Sequence, residues 1–208
     1  MFFPGWLHTQ SRHSPRLNDI LADSFAVSRW QFWPPQTIRV VNWNIDRGLR
    51  LPKITDFLAS QQADLLTLQE ADLNARRAHY LNVEELARNL GMNYVFAREF
   101  EELTQGSRTS PPYHGQATLS RWRLKNPRLI RFQSQSGFWP PRWFLPRTAL
   151  FQERLGGRIA LVTEVDVPGT VFAVYNLHLE NRENDDLRLS QLKEVLEDAA
   201  RNMQPASI

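Results

Sequence analysis

The 208-residue sequence has no cysteine. That excludes disulfides, thiolate nucleophiles and cysteine-held zinc or iron–sulfur centres. Lysine is scarce: only Lys53, Lys125 and Lys193 among 25 basic residues, which leaves 22 arginines. No run approaches the roughly 18 apolar residues of a membrane-spanning helix. The first residues lack the basic start and continuous apolar stretch of a signal peptide. These two absences give the expectation of a cytoplasmic protein. There is no P-loop, GxGxxG, HExxH or GxSxG, so the strongest local signatures of nucleotide-binding proteins, zinc proteases and serine hydrolases are missing. What is present suits a globular domain. Hydrophobic residues make up 42%, aromatics 11% and charged residues 23%, enough apolar surface for a core and too little charge for wholesale disorder. The net charge of +3 with a pI near 9.6 permits phosphate-bearing partners without requiring them. The planar fork of arginine suits phosphate oxygens, although any single arginine is more simply surface charge.

Residues 1–36 differ from the remainder, mixing aromatics with Pro4, Pro15, Pro34 and Pro35 and showing no period. They read as an N-terminal extension, with one domain over 37–208. Ile38–Ile45 is β-branched and reads as a buried strand. A helix follows from about Pro52, with Ile54, Phe57 and Leu58 on one side. Ala63–Leu68 is a second apolar strand that ends in Gln69-Glu70. Asn82 suits a helix N-cap ahead of Val83, Leu86, Ala87 and Leu90, and Gly91 suits the stop. Asn93–Ala97, Gly115–Trp122, Arg158–Val167 and Thr170–Leu179 read as strands, and 133–148 as irregular. The last predicted element is a helix over 185–203 with Leu189, Leu192, Val195, Leu196, Ala199 and Met203 on its apolar side. The order is β-α-β-α-β, then hairpin-like strands, then a helix, which predicts an α/β protein with sheets flanked by helices.

Asn44, Glu70 and His178 each close an apolar strand, a common way to mount a site on a rigid scaffold. Along Thr170–Leu179, alternation puts Asn176 and His178 on one face. Glu70 offers the hard carboxylate that Mg²⁺ prefers, or a surface ion pair. Asn44 suits a hydrogen bond to phosphate, or an ordinary turn. His178 suits general acid–base work, or a satisfied core position. Arg76 and Arg77 are candidate phosphate contacts, or surface charge.

Five blocks taken in order, Ile38-Arg-Val-Val-Asn-Trp-Asn44-Ile, Asp64-Leu-Leu-Thr-Leu-Gln-Glu70, Gly115-Gln-Ala-Thr-Leu-Ser-Arg-Trp, Val174-Tyr-Asn-Leu-His178-Leu-Glu and Arg188-Leu-Ser-Gln191-Leu, resemble the endonuclease/exonuclease/phosphatase superfamily, in its deoxyribonuclease I-like and sphingomyelinase-like branch. The resemblance spans about residues 37–192. It implies a four-layer α/β sandwich, two packed mixed sheets flanked by helices. It implies hydrolysis of phosphate esters by an activated water with Mg²⁺ or Mn²⁺. It assigns Glu70 and Asn44 to the metal, His178 and Asn44 to catalysis, and Gln116 to the substrate; Asn176, Arg76 and Arg77 are candidate substrate contacts from their own positions in the sequence.

The sequence departs from the family pattern twice. Gln116 stands where many relatives carry Asn. The Gly-Asp-x-Asn and Ser-Asp-His blocks of the family do not occur, so the resemblance implies a member truncated at its C-terminus, without its last strands and with an incomplete site. Two functions follow: a metal-dependent phosphoesterase, or a non-catalytic remnant that binds phosphate-rich ligands. Candidate substrates are nucleic acid, a phospholipid head group or a phosphorylated small molecule. Nothing calls for an obligate protein partner. The aromatic and arginine-rich segment Phe138–Arg147 suits stacking on nucleic acid, a membrane interface or packing on a sheet edge.

Overall fold

The computed structural model describes residues 20–26, 33–78, 83–106, 110–138, 142, 144–181 and 185–202. Among the described residues nine strands build two sheets, and three helices cover them in four layers, as the resemblance implies.

The larger sheet contains β1 (Ile20–Asp23), β2 (Val40–Asn44), β3 (Leu65–Leu73), β4 (Asn93–Glu102), β5 (Tyr113–Ser120) and β7 (Arg154–Gly156). Its order is β1-β4-β5-β3-β2, with β7 also paired to β4. β2 and β3 are parallel and the other pairs antiparallel. The smaller sheet is antiparallel throughout its described strands, in the order β6 (Arg123–Arg131), β8 (Ile159–Val167), β9 (Thr170–Leu177).

Helix α1 (Leu51–Gln61) has Pro52 in its first turn, where no amide is needed, and ends on Gln62 in the left-handed region. Helix α2 (Val83–Leu90) ends at Gly91 with φ +62°, a left-handed stop that glycine adopts without penalty. Asn82, its expected cap, lies outside the described residues, as do Met203 and residues 1–19. Both helices lay their apolar stripes on the outer face of the larger sheet: Leu51, Ile54 and Leu58 of α1, and Val83, Leu86 and Ala87 of α2, join Leu66, Leu68, Phe96, Ala117 and Leu119. Between the sheets, Val95 and Ala97 meet Ile159 and Leu161, and Leu65 meets Val165 and Val167.

Helix α3 (Asp185–Asn202) covers the smaller sheet in an orientation that differs from the expected one. Leu189 and Leu196 are 62% and 60% exposed, whereas Gln191 and Val195 are buried. Polar anchors decide the orientation. Gln191 accepts from the Glu180 amide and donates to the Ser134 carbonyl. The Glu194 carboxylate accepts from the amides of Gln133 and Ser134. Asp198 receives Arg128 and the Tyr175 hydroxyl.

Three strands lie where none is expected from the sequence. β1 falls in the stretch read as an extension, yet it pairs with β4 from Ile20↔Ala97 to Asp23↔Tyr94. β6 carries Pro127, which suits only an edge strand or an irregularity; β6 is an edge, and its register shifts between Lys125 and Arg128. β7 has three residues, too few for a pattern. Among the described residues, no helix is long and apolar enough to cross a membrane.

Candidate active site

The larger sheet departs from regular pairing at two places, and each carries a carboxylate. Leu68 pairs with Ala117 and Ala71 with Gly115, so Gln69 and Glu70 oppose Gln116 alone. Glu70 takes φ +53°. Arg98 pairs with Gly115 and Phe100 with His114, so Glu99 is an extra residue in β4. Such bulges re-aim side chains and recur beside active sites. Gly115 lies where both bulges converge. A Cβ there would stand 2.1 Å from the Ala97 carbonyl oxygen, so no other residue fits without moving β4. Gly156 is equally constrained, since its Cβ would stand 2.1 Å from the Glu99 carbonyl oxygen.

The bulges aim Glu70 and Glu99 toward His178, which follows β9 in the other sheet. One oxygen of Glu70 accepts from Asn44 Nδ2 at 3.0 Å and lies 3.5 Å from His178 Nε2. Glu99 Oε2 is 3.2 Å from His178 Nδ1, and Glu99 Oε1 receives Arg158 Nη1 at 2.8 Å. The same Arg158 nitrogen is 2.6 Å from His178 Nδ1. Glu99 and Arg158 are fully buried, while the side chains of His178 and Glu70 keep 12% and 22% of their exposure. Solvent therefore reaches Glu70, Asn44 and one side of the imidazole, and the Glu99–Arg158 pair lies behind them.

Electrostatics hold both carboxylates ionised. Burial pushes Glu70 up, but the Asn44 amide and the His114, His178 and Arg47 side chains outweigh it, and its pKa falls below the ordinary value. Burial likewise opposes the charge of Glu99, which is held below the ordinary range by the His178 hydrogen bond and by His178, Arg158 and His114.

A second layer lies beneath. His114 Nδ1 meets Asp72 Oδ1 at 2.8 Å, and Arg77 donates to both Asp72 oxygens at 2.6 and 2.9 Å. Burial raises the Asp72 pKa, but His114 and Arg77 more than offset it, leaving the carboxyl below its ordinary value. Arg77 also lies 3.3 Å from Glu102. One donor atom each from Glu99, His114 and His178 falls within 4.8 Å of the others, a grouping able to hold a cation. The Arg158 guanidinium already supplies a cation to two of the three.

The structure thus brings together Asn44, Glu70 and His178 of the residues singled out in the sequence. Asn176 and Gln116 are fully buried between the sheets. Asn176 donates to the carbonyls of Leu68 and Ala117 and accepts from Gln69; Gln116 donates to the Ile159 carbonyl. Arg77 is committed to Asp72, and Arg76 donates to the Thr104 carbonyl. Of the segment 138–147, the described Phe138 and Phe144 are 53% and 65% exposed. Glu99, His114 and Arg158 were not singled out from the sequence. The available signal is Glu99 in the charged run that follows Ala97, and His114 immediately ahead of Gly115.

The profile of the Endonuclease/Exonuclease/phosphatase family matches residues 41–206. Among solved structures, an endonuclease/exonuclease/phosphatase from Beutenbergia cavernae superposes with a TM-score of 0.55 at 18% identity, over 77% of this chain and 43% of that one. A family protein from Leptotrichia buccalis gives 0.50 at 15%, over 82% and 64%. Humanized D. rerio TDP2 gives 0.50 at 18%, over 79% and 60%. The chain therefore spans between about two fifths and two thirds of the length of these structures, and the likeness concerns the fold. No curated protein matches the chain closely enough to count as a relative.

Proposed function

The chain belongs to the Endonuclease/Exonuclease/phosphatase family, and from that premise we propose that it hydrolyses phosphate esters with the help of Mg²⁺ or Mn²⁺. The observation that carries this reading is the convergence of Asn44, Glu70 and His178 from three strand ends on a rim that solvent reaches, with Asn44 hydrogen-bonded to Glu70 at 3.0 Å and His178 Nε2 3.5 Å from it.

The donor set fits a hard cation. Glu70 is an ionised, half-buried carboxylate, and Mg²⁺ commonly takes one or two carboxylates while keeping water and phosphate as its other ligands. Glu70 would hold the metal, with Asn44 beside it. When bound, the ion would polarise a phosphoryl oxygen and offset charge developing on it. The protein's own groups do the rest. The Asn44 amide fixes the Glu70 carboxylate, and its Oδ1 accepts from the Asp46 amide at 3.0 Å, so the side chain cannot rotate freely. His178 Nδ1 lies 2.6 Å from Arg158 Nη1 and 3.2 Å from Glu99 Oε2, and Nε2 lies 3.1 Å from the same Arg158 nitrogen and 3.5 Å from Glu70. Such an imidazole can give a proton to a leaving oxygen and recover it from water.

The test is turnover of bis-p-nitrophenyl phosphate and of supercoiled plasmid with Mg²⁺ or Mn²⁺. Metal-dependent hydrolysis supports the reading; the plasmid arm asks whether nucleic acid is the substrate. Folded protein that hydrolyses neither would favour the phosphate-binding remnant. His178→Ala should lower kcat by about 10²–10⁴-fold, the usual weight of a general acid or base, and an unchanged kcat would remove His178 from the chemistry.

A further inference from the structure

Immediately after Asn44 the backbone enters an unusual turn. Asp46, Arg47 and Gly48 have φ of +46°, +65° and +71°. Three successive left-handed residues are uncommon, and two of these carry side chains that the conformation disfavours. The turn is firmly held. The Gly48 amide donates to the Ile45 carbonyl, the Ile45 amide to the Gln69 carbonyl and the Asp46 amide to Asn44 Oδ1. The surrounding strand ends thus impose a conformation that Arg47 would not choose. Strain of this kind, once observed, points to a functional demand on the residue that bears it.

Arg47 is half-buried and has no hydrogen bond or ion pair with any described residue. Its charge acts on the Glu70 carboxylate through space. The other arginines around the site are occupied: Arg77 by Asp72, Arg158 by Glu99 and Arg76 by the Thr104 carbonyl. A half-buried arginine three residues beyond Asn44, with no hydrogen bond or ion pair to a described residue, lacks an anion. A tetrahedral phosphoryl group presents paired oxygens that match the guanidinium fork. We propose that Arg47 grips the non-bridging oxygens of the substrate phosphoryl group, and of inorganic phosphate as product, with the left-handed turn presenting it at the strand end that carries Asn44. The proposal rests on the phosphoesterase reading for its substrate, but not for its test.

That test is calorimetric titration of inorganic phosphate into the 208-residue chain, with and without Mg²⁺, beside turnover of bis-p-nitrophenyl phosphate. The variants are Arg47→Gly, Arg47→Lys and, as a charge-matched control on the edge of the smaller sheet, Arg123→Gln. Arg47→Gly should weaken phosphate binding about 10- to 100-fold, without lowering the melting temperature, because glycine adopts φ +65° without strain. Arg47→Lys should recover part of the affinity, as a point charge without the fork. Unchanged affinity in Arg47→Gly, an equal loss in Arg123→Gln, a lowered melting temperature in Arg47→Gly, or no phosphate binding by the unsubstituted chain would each overturn the proposal. Arg47-dependent phosphate binding without turnover would leave it standing and remove the hydrolase reading.

Discussion

Glu70→Gln is expected to abolish metal-dependent turnover of bis-p-nitrophenyl phosphate while leaving the fold intact. The substitution keeps the volume and one acceptor for Asn44 Nδ2, and it removes only the charge. A metal's stabilisation of transition-state charge is worth several kcal/mol, so the loss should reach roughly 10³-fold or more. The cost to stability should be small. The side chain is 22% exposed and its oxygen lies 3.5 Å from His178 Nε2, a contact worth at most about 1 kcal/mol. Turnover at the original rate, with the same metal requirement, would remove Glu70 from the site. Turnover and stability lost together would make it a structural residue instead.

The largest expected effect on stability lies one layer deeper, at Asp72. Its carboxylate is buried, with Arg77 bound to both oxygens and His114 to one. Asp72→Asn leaves those two groups without their charge partner. Breaking a buried pair from one side costs about 3–5 kcal/mol. Glu102, 3.3 Å from Arg77, takes up part of the released charge, so about 3 kcal/mol is expected here. For a chain of this size that is about 6–12 °C of melting temperature. The acid dependence has a definite sign. The folded-state pKa of Asp72 lies below its ordinary value, so its stabilisation is complete above pH about 4 and drains away as pH falls through the folded value. The Asn variant should show a shallower loss of stability in that range. Acid unfolding curves of equal slope for both proteins would show that Asp72 does not carry this energy.

Asn44, Glu70 and His178 are legible in the sequence because each interrupts a run of apolar residues at its end, and the fold gathers those ends. Glu99 is not, for a physical reason. After Ala97 the sequence Arg-Glu-Phe-Glu-Glu reads as solvated and predicts an end to β4. In the structure Arg98 lies over the Tyr113 ring, Glu99 is turned inward by a bulge, and the strand runs on to Glu102. A bulge breaks the period of two on which strand reading depends. His114 was hidden in the same way, one residue ahead of where β5 was expected to begin. β6 was masked by Pro127 and its own irregular register. The orientation of α3 was misjudged because leucines at helical spacing outweighed Gln191, Glu194 and Asp198, although those polar residues hold the helix in place.

The Asn176 amide joins the sheets by giving its two protons to carbonyls of two different strands, Leu68 of β3 and Ala117 of β5, while its oxygen receives Gln69. All three bonds depend on a single placement of β9 over the larger sheet, so a small sliding of one sheet would forfeit them together. The next residue but one is His178. Sliding the strand end that carries His178 away from the one that carries Glu70 would therefore break all three bonds at once.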